Sequence, residues 1–260
     1  MKLTNIITAE YEQVEEKTNL KQIIKKSSVG LLIHAFEVFI DTKNIRSEEY
    51  CEKIIRNETD IKYSPEDITD FSSIISKIIP DNECYLISLF LTKLISLHNQ
   101  YTNKIYKEIS VCEYVIETNN FPQELSHFGK EMKNTHVIVK GNLGMDAFSR
   151  ISDTSITVHG SVGEYAGANM RSGTIEIFGN CTTHLGFKLR SGKIILHGNS
   201  KYLAGFNMHD GQIIITGNAG KMIGKDSTGG KINLEDTYES IHPDTRATIY
   251  HKGIQIHPKK

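Results

Sequence analysis

Residues 172–192 read SGTIEIFGNCTTHLGFKLRSG, residues 191–211 read SGKIILHGNSKYLAGFNMHDG, and residues 210–230 read DGQIIITGNAGKMIGKDSTGG. They are successive passes of one unit. Its lead glycines, Gly141, Gly160, Gly179, Gly198 and Gly217, stand 19 residues apart. Seven residues after the lead come Gly167, Gly186, Gly205 and Gly224; thirteen after it come Gly173, Gly192, Gly211 and Gly230. A thinner column holds Gly144, Gly163 and Gly220. Of 20 glycines in the chain, 17 fall within residues 141–230, a concentration that marks a structural repeat.

Between the glycines the apolar residues alternate with period two. Ile156/Val158, Ile175/Ile177, Ile194/Leu196, Ile213/Ile215 and Ile232/Leu234 form two columns. A second side shows Ala166/Ala168/Met170, Leu185/Phe187/Leu189 and Ala204/Phe206/Met208. Period two means strands with one face turned inward. Two short strands per repeat make a coil, and stacking coils in register buries each isoleucine under the next. The expected fold over about His136 to Asp236 is a right-handed parallel β-helix of about 19 residues per coil. Five to six coils at about 4.8 Å each give a rod on the order of 25 Å. Glycines supply positive φ at corners or permit close approach. Asn142, Asn180, Asn199 and Asn218, interrupted by Ser161, form a ladder whose amides bond along the stack.

Outside the repeat the pattern becomes helical. Ser64-Pro65-Glu66-Asp67 is a helix start, followed by Ile68, Phe71, Ile74, Ile75, Ile78 and Ile79 at helical spacing and stopped by Pro80. Val29–Phe39 is an apolar helix in which His34 is expected as a core histidine, and Ser47–Arg56 carries acids in its first turn. Asn82 to about Ile116 reads as one long helix or two, with Ile105 and Ile109 on its apolar spacing. The organisation is therefore α+β and multi-domain: residues 1–120 helical, 121–135 a linker, 136–236 the β-helix and 237–260 a C-terminal cap. An open stack has two adhesive ends. The helical domain is expected over the first. Over the last is expected a hairpin of Thr248-Ile249-Tyr250 and Ile254-Gln255-Ile256 about His251-Lys252-Gly253.

The quoted repeats resemble the GXGXG domain. That domain ends the large subunit of glutamate synthase and forms most of one subunit of formylmethanofuran dehydrogenase. The resemblance covers about residues 136–235. It implies a right-handed β-helix and an architectural role beside catalytic domains, without the flavin, iron–sulfur or molybdenum/tungsten chemistry. The N-terminal 120 residues match neither family, with no glutaminase-type cysteine, iron–sulfur spacing or flavin barrel.

Charge and cysteine usage narrow the function. The net charge of −1 predicts neither nucleic acid nor membrane partners. Residues 136–260 carry 14 Lys and Arg against 10 Asp and Glu, a balance of +4; residues 1–135 balance at −5. The start, MKLTNIITAEYEQVEEK, lacks the apolar stretch of a signal peptide, and Cys84–Leu97 is too short and polar to span a bilayer. Cys51, Cys84, Cys112 and Cys181 are dispersed, as in a reduced cytoplasmic protein, and show no zinc spacing.

No catalytic residue, metal or cofactor is assigned. Gly217-Asn218-Ala219-Gly220-Lys221-Met222-Ile223-Gly224-Lys225-Asp226 fails the spacing of a phosphate loop. His159 and His197 stand two coils apart with Phe178 between, too far for one metal. Cys181 and His184 could form a nucleophile pair, but read better as a packed thiol beside a surface histidine. One column is not explained by folding: Ser152, Arg171, Arg190, His209 and Thr228, eleven residues after each lead glycine. Arg171, Arg190 and His209 would form an outward strip for an anion or acidic partner, since Met170, Leu189 and Met208 point inward. The expected function is a non-catalytic scaffold or adaptor that docks on a protein partner or on itself. An accessory subunit of a glutamate synthase-like or formylmethanofuran dehydrogenase-like assembly is the alternative. A free-standing hydrolase or transferase with its site at the domain junction is the third reading.

Overall fold

The computed structural model describes residues 27–41, 47–77, 79, 83–106 and 112–257. The expectations made for residues 1–17, Ile78, Pro80, Asn82 and Ile109 lie outside these. Among the described residues, helices α1 (Ser28–Asp41), α2 (Glu48–Thr59), α3 (Pro65–Ile75) and α4 (Cys84–Tyr106) precede twelve strands. These are β1 (Glu113–Glu117), β2 (His136–Lys140), β3 (Thr154–His159), β4 (Gly173–Ile177), β5 (Cys181–Thr183), β6 (Lys193–Leu196), β7 (Ser200–Tyr202), β8 (Gln212–Ile215), β9 (Ala219–Lys221), β10 (Lys231–Leu234), β11 (Thr248–His251) and β12 (Ile254–His257). A long sheet runs β1-β2-β3-β4-β6-β8-β10-β11-β12, and a short one runs β5-β7-β9. All pairings are parallel except β11 with β12. The result is a β-solenoid of about 7 turns.

Two of these helices have a clear local start. Ser47 caps α2 by accepting from the Tyr50 amide at 3.2 Å. The α3 start is a full capping box: Asp67 N donates to Ser64 Oγ, and Ser64 N donates to Asp67 Oδ2. Phe36, Phe39, Phe71 and Phe90 meet at centroid distances of 5.1–6.5 Å and form the centre of the helical core. His34 is not in that core. It lies on the exposed side of α1, with Nε2 3.5 Å from Glu58 Oε2. The run around it is apolar on more than one face, and only Leu32, Ile33, Ala35, Phe36 and Phe39 of its apolar side chains are buried.

The register shows one more turn ahead of the glycine repeat. From β2 to β10 successive partners are 19 residues apart (His136↔Ser155 onward), but β1 to β2 is 23 (Glu113↔His136) and β10 to β11 is 17 (Lys231↔Thr248). Residues 121–135, expected as a linker, are the corners of that first long coil. Leu125, Phe128 and Met132 are fully buried, and Leu125 and Lys133 bridge to Leu143 and Ser152. The expected long helix is described as far as Tyr106, and Ile116 belongs to β1 and not to it. Tyr114 and Ile116 are buried and Val115 is not, a period of two that no helix produces.

The glycine columns divide by cause. A Cβ on Gly179 would stand 2.5 Å from the carbonyl carbon and oxygen of Gly160 in the coil before, so the lead column is glycine for want of space. Gly186 has φ +65 and sits under Ile213, so the column seven residues on is glycine for its backbone. The same corner holds left-handed residues at alternate positions, such as His184 at φ 57 and Lys188 at φ 53. The asparagine ladder forms as expected: Ser161 N donates to Asn142 Oδ1, Asn180 N to Ser161 Oγ, Asn199 N to Asn180 Oδ1, and Asn218 N to Asn199 Oδ1.

Candidate functional site

The expected strip is on the surface. Arg171, Arg190 and His209 are exposed, while Met170, Leu189 and Met208 are fully buried beside them. Their backbones are fixed by the stack: Arg171 N donates to Ile151 O, Arg190 N to Met170 O and His209 N to Leu189 O. Adjacent coils therefore present the two guanidinium groups one strand spacing apart, about 4.8 Å at the backbone. Among the described residues neither has a carboxylate within 4.0 Å. His209 contacts Thr228 Oγ1 through Nδ1 at 3.2 Å.

Beside the strip lies a patch that the sequence reading assigned to the interior. Phe187 and Phe206 are only half-buried, unlike Leu185, Leu189 and Met208. The left-handed residues around Gly186 and Gly205 turn this stretch into a corner, so its middle position leans outward. The two rings are 5.4 Å apart, Tyr165 stacks on His184 at 4.4 Å, and His184 reaches Phe206 at 5.8 Å. Lys188 Nζ lies 5.0 Å from the Phe187 centroid and Lys225 Nζ 5.6 Å from that of Phe206. The recurrence was legible, since Tyr165/His184 and Phe187/Phe206 are each 19 apart.

Other candidates resolve differently. His159, Phe178 and His197 form a continuous stack at 5.0 and 4.6 Å on the outer face of the long sheet, and Glu176 Oε1 lies 2.8 Å from His197 Nε2. Among the described residues no group of three His, Cys, Asp or Glu is arranged to hold a metal. Cys181 is buried, its thiol donates to Gly163 O at 3.4 Å, and burial pushes its pKa up to about 12. His184 turns its Nδ1 to Thr183 Oγ1 at 2.9 Å, and burial holds its pKa below the usual value. A thiol kept protonated is a poor nucleophile. Cys51 is raised to about 12 by burial as well.

The helical domain meets the first coil at a cleft of about 150 Å³, lined by Glu48, Tyr85, Leu89, Thr92, Lys93, His127 and Lys130. Glu48 Oε2 receives Lys93 Nζ at 2.9 Å and Glu48 Oε1 receives Lys130 Nζ at 3.4 Å. The Lys93 hydrogen bond holds the Glu48 carboxyl below its usual pKa against partial burial, which raises it. His127 Nδ1 is 3.1 Å from Asp146 Oδ2, which also accepts from Ser149 Oγ, and the imidazole meets Tyr85 edge-on at 5.9 Å. These residues come from α2, α4 and the first two coils, so no sequence spacing announces them. Among the described residues no helix is long and apolar enough to cross a membrane. No family model and no curated protein sequence matches the chain.

Proposed function

We propose that the chain is a non-catalytic scaffold whose solenoid flank docks an acidic protein partner. The observation that carries this reading is the pair Arg171 and Arg190, held outward in adjacent coils with no carboxylate of the described residues beside them. Like charges at neighbouring ladder positions cost stability. Two guanidinium forks on a fixed backbone suit carboxylates bidentately, and Phe187 and Phe206 offer apolar contact next to them. The GXGXG resemblance supports the same reading, because those domains serve as architecture for catalytic partners. An accessory place in such an assembly, in the cytoplasm, is the finer form of this proposal.

The test is recovery of partners from the native cell by the wild type and by the double variant Arg171→Glu, Arg190→Glu. The variant should keep its melting temperature or gain slightly, and lose binding by about tenfold or more, with wild-type binding falling steeply as salt rises. Equal recovery of the same proteins by both would place the docking face elsewhere.

A further inference from the structure

The geometry points to the junction cleft as a binding site for a small oxyanion, one carrying a phosphate or paired carboxylates, with Lys93 and Lys130 as its partners. Two ammonium groups line the cleft against one carboxylate, Glu48. That carboxylate comes from the chain's own α2 and spans both lysines, one oxygen to each. This is the arrangement an external oxyanion would make, so Glu48 acts as an internal stand-in. Its hold is light: the Glu48 side chain is 44% exposed, while Lys93 is only 21% exposed. The acid can swing to water more readily than the lysine can. The remaining wall is pre-set. The Thr92 hydroxyl accepts from Gly129 N at 3.0 Å and donates to Ser88 O at 2.8 Å. His127 is oriented by Asp146, and Tyr85 closes the side. A cleft of about 150 Å³ admits a small anion and excludes a nucleotide. The basic strip lies on other coils.

Isothermal titration of the whole chain with sodium phosphate and with sodium malonate, at constant ionic strength set by sodium chloride, tests it. At least one probe should saturate a single site. Phosphate alone would mark a phosphoryl ligand, malonate alone a dicarboxylate, and both the shared oxyanion chemistry. Lys93→Met with Lys130→Met should weaken binding by about tenfold or more, the loss expected on removing charge-assisted hydrogen bonds. Glu48→Gln removes the internal competitor and should tighten it, which keeps the test decisive even if the lysine variant does not fold. Saturation by neither probe, equal binding in the lysine variant, or no tightening in Glu48→Gln would each overturn the proposal.

Discussion

At its first end the solenoid meets helices; at its last it meets one antiparallel strand. The helices answer the backbone of the first coil with side chains. Thr69 Oγ1 donates to Val115 O at 2.7 Å, Ser88 Oγ to Ser126 O at 2.7 Å, and Asn99 Nδ2 to Lys133 O and Asn134 O at 3.1 and 3.0 Å. Thr92 accepts from Gly129 N, and His98 Nδ1 meets the buried Tyr114 hydroxyl at 2.8 Å. At the other end β12 pairs with β11 and leaves Ile254 71% exposed. A stack of coils ends in unpaired N–H and C=O groups whichever way it is read. A helix has no free backbone to offer, so it must close the stack with hydroxyls and amides placed one by one. A reversed strand closes it with its own backbone but hands the same edge on.

That contrast can be broken or sharpened in order of expected effect. Both ends depend on an intact rod between them. Gly186→Val forces a β-branched residue to φ +65 with its Cβ 2.8 Å from Ile213 Cδ1. It should cost about 3 kcal/mol or more in denaturant unfolding. An unchanged midpoint would mean that this corner tolerates a side chain and does not need its glycine. Asn99→Leu at the capped end leaves Asn134 O without its side-chain donor and Lys133 O with Thr135 Oγ1 alone, and should cost about 1–3 kcal/mol by the same measurement. A change within error would show that the helical contacts are incidental to closing the coil.

Acid should act on the capped end as well. Burial holds the His98 pKa below the ordinary 6.5. The unfolded chain therefore takes up the proton first, so the stability tied to neutral His98 is whole above about pH 6.5 and is lost as pH falls below it. His98→Gln should flatten the stability profile in that window; an identical slope in wild type and variant would remove His98 as the cause. The smallest effect belongs to the open end. Ile254→Lys should change unfolding free energy by about 0.5 kcal/mol or less, because the side chain is already in water. A loss of several kcal/mol there would reveal a second, well-packed cap.

The repeat was legible because its constraints recur: Gly179 needs space and Gly186 needs its φ for reasons that every coil shares. The first coil hid because it breaks the pattern in several places at once. Pro122 stands where a lead glycine would and the turn is 23 residues long, while in the next coil Phe148 takes the left-handed position at φ 59. Gly129, 19 residues before Phe148, was the available signal. Its missing Cβ makes room for the Phe148 ring, which would otherwise lie 2.5 Å away. The outward direction of Arg171 and Arg190 followed from alternation, whereas that of Phe187 and Phe206 did not, because alternation fails at a corner of left-handed residues. The cleft was invisible for another reason. Glu48 lies 45 residues from Lys93 and 82 from Lys130, and only tertiary packing brings them together.

Amide hydrogen exchange on the intact chain tests the asymmetric closure most directly. His127, His184 and Met222 occupy equivalent places in the first, a middle and a late coil; His127 N donates to Met145 O, His184 N to Tyr202 O and Met222 N to Ser240 Oγ. With helices closing the first end, the protection factor of His127 should equal that of His184 within about tenfold, and Met222 should be the least protected of the three. A His127 amide that exchanges faster than Met222 would contradict the account, because the helical domain would then not be closing the solenoid.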